Sequence, residues 1–225
     1  MRKADTSTRL AVTGVGIICS IGRNRSEVWR SIVESRAGIG KLSKFPGERF
    51  PTDVAAEVGD IDDLLSMDSR EAKRMSRSDL LAVIAATEAI QQADDGATSP
   101  VSRERTVVST GTSTGGLLEG ESFYFDRLVR GRGRVAVSRV LQQPTSGPSD
   151  AISCALNLGG GDLANATACS SADAAFGTAV DLLRLDHTDF AFFGCRCLLC
   201  LPQSLFFHCH KAWSESPFPG FSGGG

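Results

Sequence analysis

The residues best placed to do chemistry lie in Ala166-Thr167-Ala168-Cys169-Ser170-Ser171-Ala172. A strand-like segment, 162–168, runs into a helical segment, 169–185, and the cysteine stands at their junction. A helix start offers unpaired N–H groups and the positive end of the helix dipole, and both favour a thiolate. Alanine and serine neighbours leave room for a bulky acyl group to reach the sulfur, as a cysteine that accepts an acyl chain requires. The same pattern fits a second reading equally well, a buried and inert cysteine in a tightly packed helix.

Other candidates are weaker. Cys195, Cys197, Cys200, His208, Cys209 and His210 are zinc-ligand types. However, Cys-x-Cys-x2-Cys is crowded and His-Cys-His lacks the usual x3–5 separation, so no metal site is expected. Gly14-Val15-Gly16 opens a dinucleotide-like pattern, but Cys19 holds the position of its third glycine, so no cofactor is expected. Gly131-Arg132-Gly133-Arg134 reads as a solvated connection rather than a phosphate site, and His187 as a surface histidine in a helix-to-strand turn.

These residues need elements to position them. Residues 10–18 (LAVTGVGII) form an apolar run that predicts a buried strand. Residues 26–35 predict a helix, with Asn24 and Glu27 as a capping box and Val28, Trp29, Ile32 and Val33 as one face. A short strand is expected at 54–58 and a long helix at 78–93, ended by Asp94-Asp95-Gly96. A strand at 105–109, a glycine-rich turn at 111–116 and a helix at 117–129 follow. After a helix at 149–158 come the strand and helix around Cys169, then a buried strand at 189–194 (DFAFFG). Strands alternating with helices predict an α/β sheet covered on both faces.

Composition fits that class. The 225 residues are 41% hydrophobic and 22% charged, ordinary globular values that exclude a disordered, collagen-like or coiled-coil chain as a whole. The net charge of −2 lacks the basic excess of a dedicated nucleic-acid binder. No run of about 20 apolar residues suggests a membrane span. The first residues lack the apolar core of an export signal, so reduced cysteines and a cytoplasmic location are expected. Residues 1–194 carry 47 of the 50 charged residues, whereas 195–225 carry three charges and four of the seven cysteines. That break divides the chain into a domain at 1–194 and an atypical Cys-rich tail at 195–225, expected to be frameshifted or disordered.

Several stretches then match one family in order. They are Val12-Thr13-Gly14-Val15-Gly16, Trp29 with Ala37-Gly38-Ile39-Gly40, and Glu71-Ala72-Lys73-Arg74-Met75-Ser76-Arg77. Gly111-Thr112-Ser113-Thr114-Gly115-Gly116, a GSGIGG-like turn, and Thr167-Ala168-Cys169-Ser170-Ser171-Ala172 complete the series. Over about residues 9–194 the chain resembles the N-terminal half of a β-ketoacyl-acyl-carrier-protein synthase, a condensing enzyme of the thiolase superfamily.

The resemblance implies an α/β, thiolase-like fold, present as one half of the layered αβαβα arrangement. It implies that Cys169 takes an acyl chain as a thioester, which is then condensed with a decarboxylated malonyl thioester in fatty acid or polyketide synthesis. Thr114 falls where the family often has an apolar residue lining the acyl pocket, and Ser113-Thr114 departs from the commoner Gly-Ile. The implied partners are acyl carrier protein, acyl and malonyl thioesters and a second copy in a homodimer, to which strand 162–168 contributes. Neither nucleic acid nor membrane is among them, and no cofactor is implied. The family's two catalytic histidines, supporting lysine and second oxyanion donor lie in its C-terminal half, and none of His187, His208 or His210 sits in a matching motif. The chain is therefore expected to be inactive alone. The alternative is a non-catalytic truncated fragment or dimerising module. Without a second half, Ala172, Phe176, Ala179, Val180 and Leu183 are expected to form an exposed apolar patch.

Overall fold

The computed structural model describes residues 9–43, 52–95 and 101–195. In chain order the elements are α1 (Arg25–Val33), β1 (Ile39–Lys41), β2 (Val54–Ala56), α2 (Ser69–Ala72) and α3 (Arg77–Asp95). They continue with β3 (Thr106–Gly111), α4 (Leu117–Tyr124), α5 (Ser138–Leu141), α6 (Gly147–Ala155), β4 (Asp162–Asn165), α7 (Ser171–Arg184) and β5 (Phe190–Cys195).

β3 is the centre of a parallel sheet in the order β4-β3-β5, and all six of its residues are buried. On one face Val108 meets Val83 and Ala86 of α3, Ala151 and Ile152 of α6, and Phe192 of β5. On the other face lies α7, with Ala175 and Ala179 sealed. A strand with both faces covered reads as an unbroken run rather than an alternation, which is how Thr106-Val107-Val108 reads. The small residues of α7 let it come close: a Cβ on Gly111 would lie 2.2 Å from the Ser171 carbonyl oxygen.

β3, β5 and α3 stand where their patterns predict them. Residues 10–18 do not. They form neither helix nor strand and pair with no strand among the described residues, and Val12 is 70% exposed. The segment lies along α3, where Cβ atoms on Gly14 and Gly16 would meet the Ala89 and Ala85 carbonyl oxygens at 2.0 and 1.8 Å. Its backbone donors go to side chains instead of a ladder: Val15 N–H donates to Gln92 and Ile17 N–H to Glu88, at 2.9 and 3.1 Å. The apolar run gives strand propensity, but no neighbouring strand among the described residues pairs with it.

α1 is capped as expected, with Glu27 N–H donating to Asn24 Oδ1 at 2.9 Å and Arg23 N–H to the Glu27 carboxylate at 2.8 Å. Its inward face is Val28 with Ser31, while Trp29, Ile32 and Val33 are exposed. Strand 162–168 stops at Asn165, and the expected patch on α7 is smaller than predicted. Ala179 is buried against the sheet, whereas Phe176 is exposed and packs on Phe193 with ring centroids 4.8 Å apart.

The single helix expected at 117–129 breaks after Tyr124 into a π-helical turn, Phe125–Val129. The wider turn brings Asp126 inward, where Arg130, Arg132 and Arg139 donate to it at 3.0, 3.3 and 3.1 Å. Burial pushes the Asp126 carboxyl up. The hydrogen bond from Arg130, the charge of Arg132 and the hydrogen bond from Arg139 outweigh that and hold it below the usual carboxylate range. The 131–134 loop is thus tied back through Arg132.

Candidate active site

β4 and α7 deliver Cys169. β4 runs parallel to β3 with Asn165 opposite Gly111. The Asn165 amide donates to Ser109 Oγ at 3.0 Å and the Thr110 carbonyl at 3.3 Å, and its oxygen accepts from Thr178 on α7 at 3.2 Å. One side chain therefore fastens the end of β4 to β3 and to the second turn of α7.

Between them the chain makes a 3-10 turn, Ala168–Ser170. Ala168 has φ +52°, in the left-handed region that residues with a Cβ rarely occupy. Ser171 opens α7 immediately afterwards, so Cys169 sits two residues before the first helical residue, beside the helix's unpaired donors. The Cys169 thiol is free and exposed. Of the two sequence readings, the buried cysteine in a packed helix is therefore excluded, and an accessible sulfur at a helix start remains.

Hydroxyls hold the turn. Ser171 Oγ accepts from Thr167 N–H at 2.9 Å and donates to the Ala168 carbonyl at 2.7 Å, and Ser170 Oγ donates to the Thr167 carbonyl at 2.8 Å. The glycine-rich turn after β3 reaches the same place, with Ser113 Oγ 3.5 Å from Ser171 Oγ. Thr114, next in that turn, is half-buried, and its N–H donates to Thr112 Oγ1 at 3.4 Å. The structure thus joins the 111–116 turn to the Cys169 turn. The Ser113 and Ser171 hydroxyls were missed in the sequence, where Ser171 was read only as a small neighbour and Ser113 only as a departure from the family's Gly-Ile. A serine just inside a helix start, two residues after a candidate nucleophile, was the available signal.

His187 is exposed at the other end of α7, about 20 Å of helix away, so it does not join the site. His208, His210 and the tail cysteines apart from Cys195 lie outside the described residues. Among the described residues no group of three or more His, Cys, Asp or Glu side chains could hold a metal ion. No helix among them is long and apolar enough to cross a membrane.

The profile of the beta-ketoacyl synthase N-terminal domain matches residues 7–215. The chain is 31% identical over 181 residues to 3-oxoacyl-[acyl-carrier-protein] synthase 2 of Synechocystis sp., covering 78% of this chain and 42% of the relative. It is 30% identical over 181 residues to nodulation protein E of Rhizobium meliloti, covering 80% and 44%. Among solved structures, the ishigamide ketosynthase/chain length factor superposes with a TM-score of 0.76 at 21% identity, covering 88% of this chain and 50% of that one. This chain belongs to the β-ketoacyl synthase family and has the N-terminal half of its thiolase-like fold. It spans under half the length of the curated relatives it matches.

Proposed function

We propose that Cys169 is the acyl acceptor of a 3-oxoacyl-acyl-carrier-protein synthase. The observation that carries this is the exposed thiol on a left-handed turn at the start of α7. The thiolate attacks the carbonyl carbon of an acyl thioester, the carrier's thiol leaves with a proton, and the acyl chain remains on the sulfur. The Cys169 backbone N–H is one donor to the oxyanion, and the 111–116 turn with Thr114 borders the acyl chain. Condensation with a malonyl thioester also needs a second oxyanion donor and groups that stabilise the carbanion. In the family these belong to the half of the relatives that the chain does not span. Residues 1–194 act as the acyl-accepting domain.

Acyl carrier protein and a second ketosynthase-like subunit are the partners of this reading. β4 supports the pairing, since the outer edge of the sheet runs along it and Asp162, Leu163 and Ala164 are exposed. A reduced, cytoplasmic compartment belongs to the same reading, because the reaction needs a free thiol.

The test is to incubate the purified chain with an acyl carrier protein bearing an acyl group and analyse peptides by mass spectrometry. A hydroxylamine-labile acyl adduct on Cys169, absent in Cys169→Ala, is expected. No 3-oxoacyl product should form when malonyl carrier protein is added. Acylation of another cysteine, or none, overturns the assignment of Cys169.

A further inference from the structure

We infer that Ser171 is the positioning residue of the Cys169 turn and that Ser113 supports it from the neighbouring turn. The inference rests on the reading of Cys169 as the acyl acceptor and assigns how that sulfur is held.

A serine hydroxyl has one donor and two acceptor sites. Ser171 gives its proton to the Ala168 carbonyl and accepts the Thr167 N–H. It therefore bridges the backbone on both sides of the Thr167–Ala168 peptide, just ahead of the cysteine. Its proton is committed, so in the 3.5 Å contact with Ser113 the Ser113 hydroxyl is the donor. Ser171 is 3% exposed, which leaves little room for water to take over these bonds.

Ala168 explains why a bridge is needed. Its φ of +52° is disfavoured for any residue with a Cβ and persists only where the surroundings enforce it. The bridge clamps its carbonyl from one side and the preceding N–H from the other. The Ser171 backbone cannot retreat, because its carbonyl lies against Gly111, where even a Cβ would come within 2.2 Å. The hydroxyl is thus anchored to β3 and transmits that fixed position to the turn. Without it, Ala168 relaxes toward the right-handed region and the Cys169 sulfur swings away from the start of α7.

The test is competitive alkylation of the whole chain at neutral pH with limiting iodoacetamide. Cys154, exposed on α6, serves as the internal reference. The readout is the ratio of Cys169 to Cys154 labelling. Ser171→Ala should lower it about three- to ten-fold, the worth of one or two net hydrogen bonds, and Ser113→Ala about two-fold, the worth of one weak one. Ser171→Thr keeps the hydroxyl and should restore most of the ratio. A role in general stability alone would raise the labelling of Cys19, Cys154 and Cys169 together and leave the ratio flat. An unchanged or raised ratio in Ser171→Ala overturns the inference. If that variant does not fold, Ser113→Ala decides, and a wild-type ratio there overturns it equally. Wild-type chain that is alkylated at Cys169 but never acylated would sink the proposed function instead, and the two failures are thereby distinct.

Discussion

Two segments of this chain use nearly the same residues and meet opposite fates. Residues 10–18 (LAVTGVGII) are the more apolar, yet Val12 and Val15 are 70% and 50% exposed. β3 (TVVSTG) carries three hydroxyls and a glycine, yet its Val108 is fully buried. β3 has a strand on each side and helices on both faces, whereas among the described residues 10–18 lies along α3 and gives its Val15 and Ile17 N–H groups to side chains of that helix. Strand propensity is a readiness to pair, and burial follows from the neighbours present.

The sharpest way to break this comparison uses glycines. In each segment a glycine backs onto a carbonyl oxygen that an added Cβ would strike, Ser171 from Gly111 and Ala85 from Gly16. Gly111 is locked between β4, β5 and α7, so Gly111→Val forces backbone apart in the core and should cost about 3 kcal/mol or more. The 10–18 segment can lift off α3, so Gly16→Val should cost about 1 kcal/mol or less despite the closer approach. Urea unfolding of both variants checks this. Equal losses would mean that 10–18 is held as firmly as β3.

A smaller effect tests burial itself. Val108→Ala removes two methyl groups from the cluster of Val83, Ala86, Ala151 and Ile152, at a cost of about 2 kcal/mol. Val12→Ala changes an exposed side chain and should stay within about 0.5 kcal/mol. The same denaturation midpoints decide it, and a substantial loss for Val12→Ala would reveal a contact of that face with another part of the protein.

The contrast also explains what was legible in the sequence. The order of α3, β3, α7 and β5 was readable because each carries its own apolar pattern, even though β3 pairs with β5 across 84 residues. Cys169 was legible as a nucleophile candidate because a helix start is a local feature. Its exposure was not, since that depends on what α7 packs against. The inward face of α1 was misassigned because Trp29, Ile32 and Val33 have helical spacing but are left exposed by the described residues. The π-helical turn was hidden for a related reason. Asp126 turns inward to arginines up to thirteen residues away, a pairing that no local pattern encodes. The Ser171 bridge depends on a left-handed Ala168, and alanine gives no hint of that conformation.

The smallest effect separates two carboxylates by their surroundings. Asp126 lies among three arginines, whereas Asp150 on α6 faces Asp162 at the start of β4. Desolvation first, then the hydrogen bond and charge of Asp162, push the Asp150 carboxyl up to about 6, with Ser146 pulling the other way. In the unfolded chain it titrates near 3.9, so between about pH 4 and 6 the folded state holds a proton that the unfolded state has lost. Stability therefore falls as pH rises through that window and stays lower above it. Asp150→Asn removes the ionisation and leaves an amide that can donate to Asp162. Its stability should lose this downward slope, so the variant gains on wild type as pH rises from 4 to 7. Water around the exposed carboxylates keeps the gain below about 1 kcal/mol. Thermal unfolding of both proteins across pH 4–8 measures it. Parallel curves would show that Asp150 and Asp162 ionise independently, and the start of β4 would then be as indifferent to pH as an open surface.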